Sequence, residues 1–250
     1  ALTFENVVLR CGERHLPRLD TIVDPLVVTD LATVVWAPHG HHEAVDALLG
    51  LAQVVLVDSV DEPEADEALA RALSVAESAY VVDLAWLRST PWRERIAATF
   101  DPELLRADLH TISALTVRHH PDSEAAAMLL IGWLASRLDW EPSRLHKGTG
   151  KAHGRRQDVS IELEPAPEQS VRGLAGVQVE TAGGRWLRLD RGPGGLHAHY
   201  RHRRGTEREW TILGASRGEA GILGEGIRQA LLRDPTYKPA LERAMAFAGA

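Results

Sequence analysis

Residues 54–83, VVLVDSVDEPEADEALARALSVAESAYVVD, set two apolar runs, Val54 to Asp58 and Ala79 to Asp83, on either side of a stretch where Ala65, Leu69, Ala72, Leu73 and Ala76 recur at helical spacing. Short apolar runs of this length suit buried strands, and strand, helix, strand in succession reads as a parallel βαβ unit. The pattern extends toward the N-terminus. Val34 to Trp36 is a similar run, Val45, Leu48, Leu49 and Ala52 mark a helix behind it, and Val7 to Arg10 reads as an opening strand. Toward the C-terminus, Leu109 to Arg118 is rich in Thr, Ile and Val and predicts another strand, followed by a helix from Ser123 to Leu138. Together these predict an α/β domain over residues 1–145 with a largely parallel sheet.

The pattern breaks at residues 146–157, HKGTGKAHGRRQ, where hydrophobic periodicity gives way to Gly, Lys, Arg and His, the composition of a basic linker. A different period follows. Val159, Ile161 and Leu163 alternate with Ser160, Glu162 and Glu164, and Val177 and Val179 repeat the alternation, as expected of antiparallel strands with one wet face. Gly183-Gly184 leads into Arg185 to Asp190, and Gly192-Pro193-Gly194-Gly195 into Leu196 to Arg201, so turn residues separate successive strands; Glu209 to Leu213 supplies one more. An amphipathic helix carrying Ile222, Leu223, Ile227, Ala230 and Leu231, and a short helix after Pro239, close the chain. Residues 158–250 are thus expected to form a smaller antiparallel domain with C-terminal helices.

Composition narrows the function classes. The 250 residues are 44% hydrophobic, enough for a large core, and the formal charge of −7 offers no basic footprint for nucleic acid or an anionic membrane. The longest apolar run, Met128 to Ala135, is too short to span a bilayer, and no signal segment opens the chain, which predicts a cytoplasmic protein. Cys11 is the single cysteine, so an internal disulfide and a thiolate zinc site are both excluded.

Gly214-Ala215-Ser216-Arg217-Gly218 fits the nucleophile-elbow pattern, but a hydrolase of that type needs a histidine downstream, and the last histidine is His202. Ser216 followed by Glu219 reads better as a capping box at a helix start. Gly224-Glu225-Gly226 lies inside a helical pattern, and Gly148-Thr149-Gly150-Lys151 ends in Ala152 where a phosphate loop has Ser or Thr, so neither is read as a nucleotide site. His39, His41 and His42, His119 with His120, and His197 with His199 lack a carboxylate fixed beside them by spacing, so no metal site is assigned. No catalytic residue and no cofactor is assigned.

Residues 83–94, DLAWLRSTPWRE, concentrate Trp and Arg in a connection between a strand and a helix. Thr90 is a good N-cap, Pro91 suits the first helical position, and Trp92, Ile96 and Phe100 share one helical face. Trp86, Arg88 and Arg93 are of types enriched where surfaces bind other proteins, so Trp86, Arg88, Trp92 and Arg93 are the candidate partner contacts; core packing of both tryptophans is the alternative.

The signature Asp83, Trp86, Arg88, Thr90, Pro91, Trp92, Arg93 and Glu94 resembles that of the OpcA family, the glucose-6-phosphate dehydrogenase assembly proteins. Val7 to Arg10, Val23 to Asp30 leading into Val34-Val35-Trp36, and the tail from the amphipathic helix through Asp234-Pro235-Thr236-Tyr237 are similar as well, although Val28 to Ala32 lacks the prolines of the family's connection. The resemblance implies a non-catalytic, cytoplasmic activator that binds glucose-6-phosphate dehydrogenase, favours its active oligomer and so influences NADPH supply in the oxidative pentose phosphate pathway. It also implies sequence ahead of Ala1, since family members carry more there. The rival reading is an enzyme built on Ser216, or a regulatory protein binding a sugar phosphate or nucleotide through the basic stretch.

Overall fold

The computed structural model describes residues 7–28, 30–214, 219–230 and 232–249. A 3-10 turn, Glu13–Arg18, and helix α1 (Leu19–Val23) precede β1 (Val34–Trp36). Helix α2 (His42–Leu48) then leads to β2 (Val54–Val57), and α3 (Ala65–Val75) to β3 (Tyr80–Asp83). The three strands pair in parallel in the order β1-β2-β3, as the βαβ reading requires. Val54, Val55 and Leu56 are buried, and Leu69, Ala72 and Val75 of α3 form an apolar stripe buried in the same core.

The chain then forms α4 (Leu84–Arg88), α5 (Thr90–Phe100), α6 (Glu103–Arg106), β4 (Ile112–His119) and α7 (Glu124–Leu138). Strands β5 (Glu141–Pro142), β6 (Thr149–His153), β7 (Asp158–Pro165), β8 (Leu174–Thr181), β9 (Trp186–Gly192), β10 (Gly195–Arg201) and β11 (Glu207–Leu213) follow. Helices α8 (Glu219–Gln229) and α9 (Tyr237–Ala248) complete it. The second sheet has eight strands in the order β11-β10-β9-β8-β4-β7-β6-β5, antiparallel throughout except between β4 and β7.

Its register puts Leu163, Val117, Val177, Leu189 and Ala198 in one cross-strand row, and all five are buried. α7 packs on this sheet, against α9 on its other side, and is apolar nearly all round because both sides are covered. The close approach depends on Gly132. A Cβ there would overlap the Ala240 carbonyl oxygen and lie 2.8 Å from the Ala244 nitrogen.

The expected α/β character, with a parallel first sheet, an antiparallel second sheet and closing helices, is what the chain forms. Several particulars differ. The antiparallel sheet is the larger one, because β4, expected beside the first sheet, lies between β7 and β8, where both of its edges find ladder partners. The stretch 146–157, expected as a linker, carries β6, which pairs with β7 from Thr149 to His153; the hydrogen-bond ladder, not an apolar pattern, makes it a strand. Val7 to Arg10 is not a strand: an apolar run without a neighbouring edge has nothing to pair with, and Val7, Val8 and Leu9 are exposed. The last helix is longer than expected and starts before Pro239, which sits in its first turn where no amide is needed. Among the described residues, no helix is long and apolar enough to cross a membrane.

Candidate functional site

β2 and β3 end side by side, and their C-terminal ends deliver Asp58 and Asp83 to the same region. Asp83 caps α4, accepting from the Ala85 amide at 2.9 Å. It also accepts from the Ser59 amide at 3.2 Å, the Ser59 hydroxyl at 2.5 Å and the Tyr237 hydroxyl of α9 at 3.1 Å. Burial raises the Asp83 carboxyl above its ordinary value and the charge of Asp58 pushes the same way, against the donors from Ser59 and Ala85. Burial and the neighbouring Asp83 raise the Tyr237 phenol well above its usual range.

Arg88 meets Asp58 in a two-pronged pair, Nη1 to Oδ1 at 2.8 Å and Nη2 to Oδ2 at 2.7 Å, with both side chains largely buried. Trp86 is buried; its indole N–H donates to Asp234 Oδ2 at 2.8 Å and its ring meets Tyr237 edge-on, 5.6 Å between centroids. The Arg93 guanidinium lies 3.4 Å from the Trp86 ring centroid and donates to the Trp86 carbonyl at 2.7 Å, Ser89 Oγ at 2.5 Å and Thr90 Oγ1 at 3.1 Å. Burial pushes Arg93 down to about 9, so it stays a cation at neutral pH. Burial alone would raise Asp234, but donors from Thr236 and Trp86, with the charge of Arg93, hold its carboxyl below the ordinary value.

The signature side chains thus converge, and Trp86, Trp92 and Arg93 are enclosed by the fold. Trp92, Ile96 and Phe100 form the expected buried stripe of α5. Thr90 is not the N-cap: Ser89 holds that position, and Thr90, one residue inside, uses its hydroxyl to accept from Arg93. Pro91 and Glu94, with Arg95, face outward onto a cleft of about 380 Å³ bounded also by α8, the end of β11, Arg172 and Arg191.

The histidine groups are scattered among separate partners. His42 reaches Glu62 at 2.6 Å, His119 is buried with Nδ1 2.8 Å from the His120 carbonyl, His197 meets Thr211 at 3.1 Å and His199 meets Glu207 at 2.9 Å. No cluster suited to a metal ion occurs among the described residues. Ser216 lies outside the described residues, as does its capping box. Sequence reasoning missed Asp58, Ser59, Asp234 and Tyr237 as parts of the site. The usable signal was positional, since Asp58 and Ser59 follow a parallel strand at its C-terminal end, where open α/β sheets place their sites.

Two family models match the chain: one described as the glucose-6-phosphate dehydrogenase subunit N-terminal domain, over residues 1–74, and one described as the C-terminal domain of that subunit, over residues 79–241. A protein of Synechocystis sp. with the provisional name OxPP cycle protein OpcA is 32% identical over 143 residues, 55% of this chain and 30% of that protein. One of the same name from Nostoc punctiforme is 30% identical over 186 residues, 69% of this chain and 40% of that protein. The matches therefore span well under half the length of these curated relatives. Among solved structures, an oxidoreductase domain protein from Kribbella flavida is 13% identical with a TM-score of 0.52, covering 94% of this chain and 80% of that one, a likeness of fold.

Proposed function

The chain belongs to the OpcA family of glucose-6-phosphate dehydrogenase subunits, and from that premise we propose that it is a non-catalytic, cytoplasmic partner of the dehydrogenase that favours its active oligomer. The observation that carries the reading is the match of both subunit models, which between them leave few residues uncovered. Such a partner raises activity, and with it NADPH supply through the oxidative pentose phosphate pathway, by binding the active assembly more tightly than the inactive one.

The distribution of exposed apolar side chains supports a docking face in the first part of the chain. Of the fourteen large apolar side chains exposed among the described residues, nine fall between Val7 and Trp36. Trp36 is 47% exposed on β1, which pairs with β2 alone, so that its other edge has no strand partner among the described residues. Exposed apolar groups beside an open strand edge are features that association covers. Trp86, Arg88, Trp92 and Arg93 then serve binding indirectly, by fixing the shape of the molecule behind the cleft.

The test is co-elution with the dehydrogenase of the same organism, with dehydrogenase activity read on the same samples. Trp36→Asp is expected to weaken co-elution at least tenfold without lowering the melting temperature, because that side chain is exposed. No co-elution and unchanged kinetics with the native chain would overturn the function, and full binding by Trp36→Asp would overturn the docking face.

A further inference from the structure

We propose that the cleft between α5, α8 and the end of β11 binds a small phosphate monoester, held by the guanidinium groups of Arg95 and Arg191. The cleft, about 380 Å³, lies within the size range of small-molecule sites. Most of its charged lining is already committed: Arg88 pairs with Asp58, Arg172 with Asp61 at 2.9 Å, and Arg228 with Glu225, which also accepts from Gln229 at 2.9 Å. Arg95 and Arg191 differ.

Arg191 donates Nε to the Leu174 carbonyl at 2.9 Å, and its guanidinium lies 5.9 Å from the Trp92 ring centroid; it has no carboxylate partner among the described residues. Arg95 is half-buried, its Nε is shut off from solvent without a hydrogen-bond acceptor, and it too has no carboxylate partner among the described residues. Among the described residues Glu94 is the remaining carboxylate of the lining, and it is exposed. Two cations in one cleft, neither paired with a carboxylate among the described residues, repel each other, and burial already works against the charged form of Arg191.

An anion removes both costs. A monoester phosphate carries about −1.5 to −2 at pH 7 and can meet two guanidiniums through paired hydrogen bonds, whereas a carboxylate would leave one positive charge over. Pro91, Val171, Ile212 and Ile222 give the cleft apolar wall for the body of the ester, and Thr90 lines it as well. The site lies against the signature segment, so its occupancy would bear on the same elements that enclose Trp92.

Calorimetric titration of the chain alone, at constant ionic strength, tests this with glucose 6-phosphate as the probe and with glucose and inorganic phosphate as separate arms. Because no dehydrogenase is present, the outcome is independent of the assembly reading. Glucose 6-phosphate is expected to bind, inorganic phosphate more weakly, and glucose not at all. Arg95→Ala and Arg191→Gln should each weaken the hexose phosphate at least tenfold. Arg95→Ala is the decisive variant because it breaks no ion pair among the described residues, and its melting temperature without ligand should equal that of the native chain. Absence of heat with both phosphates, equal binding of phosphate and ester, or binding that survives both substitutions would overturn the proposal.

Discussion

Arg93→Ala separates an internal role for the signature segment from a surface role. The guanidinium makes three hydrogen bonds, to the Trp86 carbonyl, Ser89 Oγ and Thr90 Oγ1, and stacks 3.4 Å from the Trp86 ring centroid. Hydrogen bonds involving a charged group contribute about 1.5–3 kcal/mol each, and a desolvated cation–π contact about 2 kcal/mol. Against this stands the cost of burying the cation, several kcal/mol, which alanine does not incur. The net loss is expected at about 3–5 kcal/mol, the range seen when one member of a buried charged cluster is removed. At roughly 2–4 °C per kcal/mol for a chain of this size, the melting temperature should fall by about 6–20 °C. Arg93→Lys keeps the charge but loses the planar fork, so it should fall between the two. Denaturant unfolding and dehydrogenase co-elution, measured on one preparation, provide the assay. If Arg93→Ala unfolds like the native chain yet no longer binds, Arg93 works at the surface and the reasoning from its enclosure is refuted.

Gly132→Ala should destabilise the fold by about 1–3 kcal/mol or more, because a Cβ has no room between α7 and the backbone of α9; a melting curve unchanged within error would contradict the packing described. For Asp83, a folded-state pKa raised by burial means that its contribution is fully present below the ordinary carboxylate value of about 4 and is lost as pH rises through the folded value. Asp83→Asn should therefore gain stability relative to the native chain as pH rises across that window, and parallel stability profiles for the two proteins would refute the assignment.

Local patterns in the sequence carry much of the fold. Short apolar runs with a helix between them identify β2, α3 and β3, and period-two alternation identifies β7. What they do not carry is partnership. β4 reads the same whether it joins a parallel or an antiparallel sheet, and β6 exists because β7 offers it a ladder while its own residues, Thr149 to His153, show no apolar pattern. The site divides in the same way. Residues 83–94 stand out by composition, but Asp234 and Tyr237 reach them from across the fold, and spacing along the chain says nothing of that meeting. Arg95 and Arg191 were equally hidden, since which cations share a cleft is a property of three dimensions.

The tie between Asp83 and Tyr237 also bears on the order in which the molecule can be made. Its two ends are separated by 154 positions, and the bond from Trp86 to Asp234 spans 148. During synthesis at roughly 5–20 residues per second, the strands around Asp83 leave the ribosome seconds before α9 exists. Through that interval Asp83 lacks its phenol donor, the Trp86 indole lacks its carboxylate, and the α7 face that α9 will cover stays open. Closure therefore waits for the last helix, and a chain stopped ahead of Asp234 would present these groups to whatever binds unfinished surfaces.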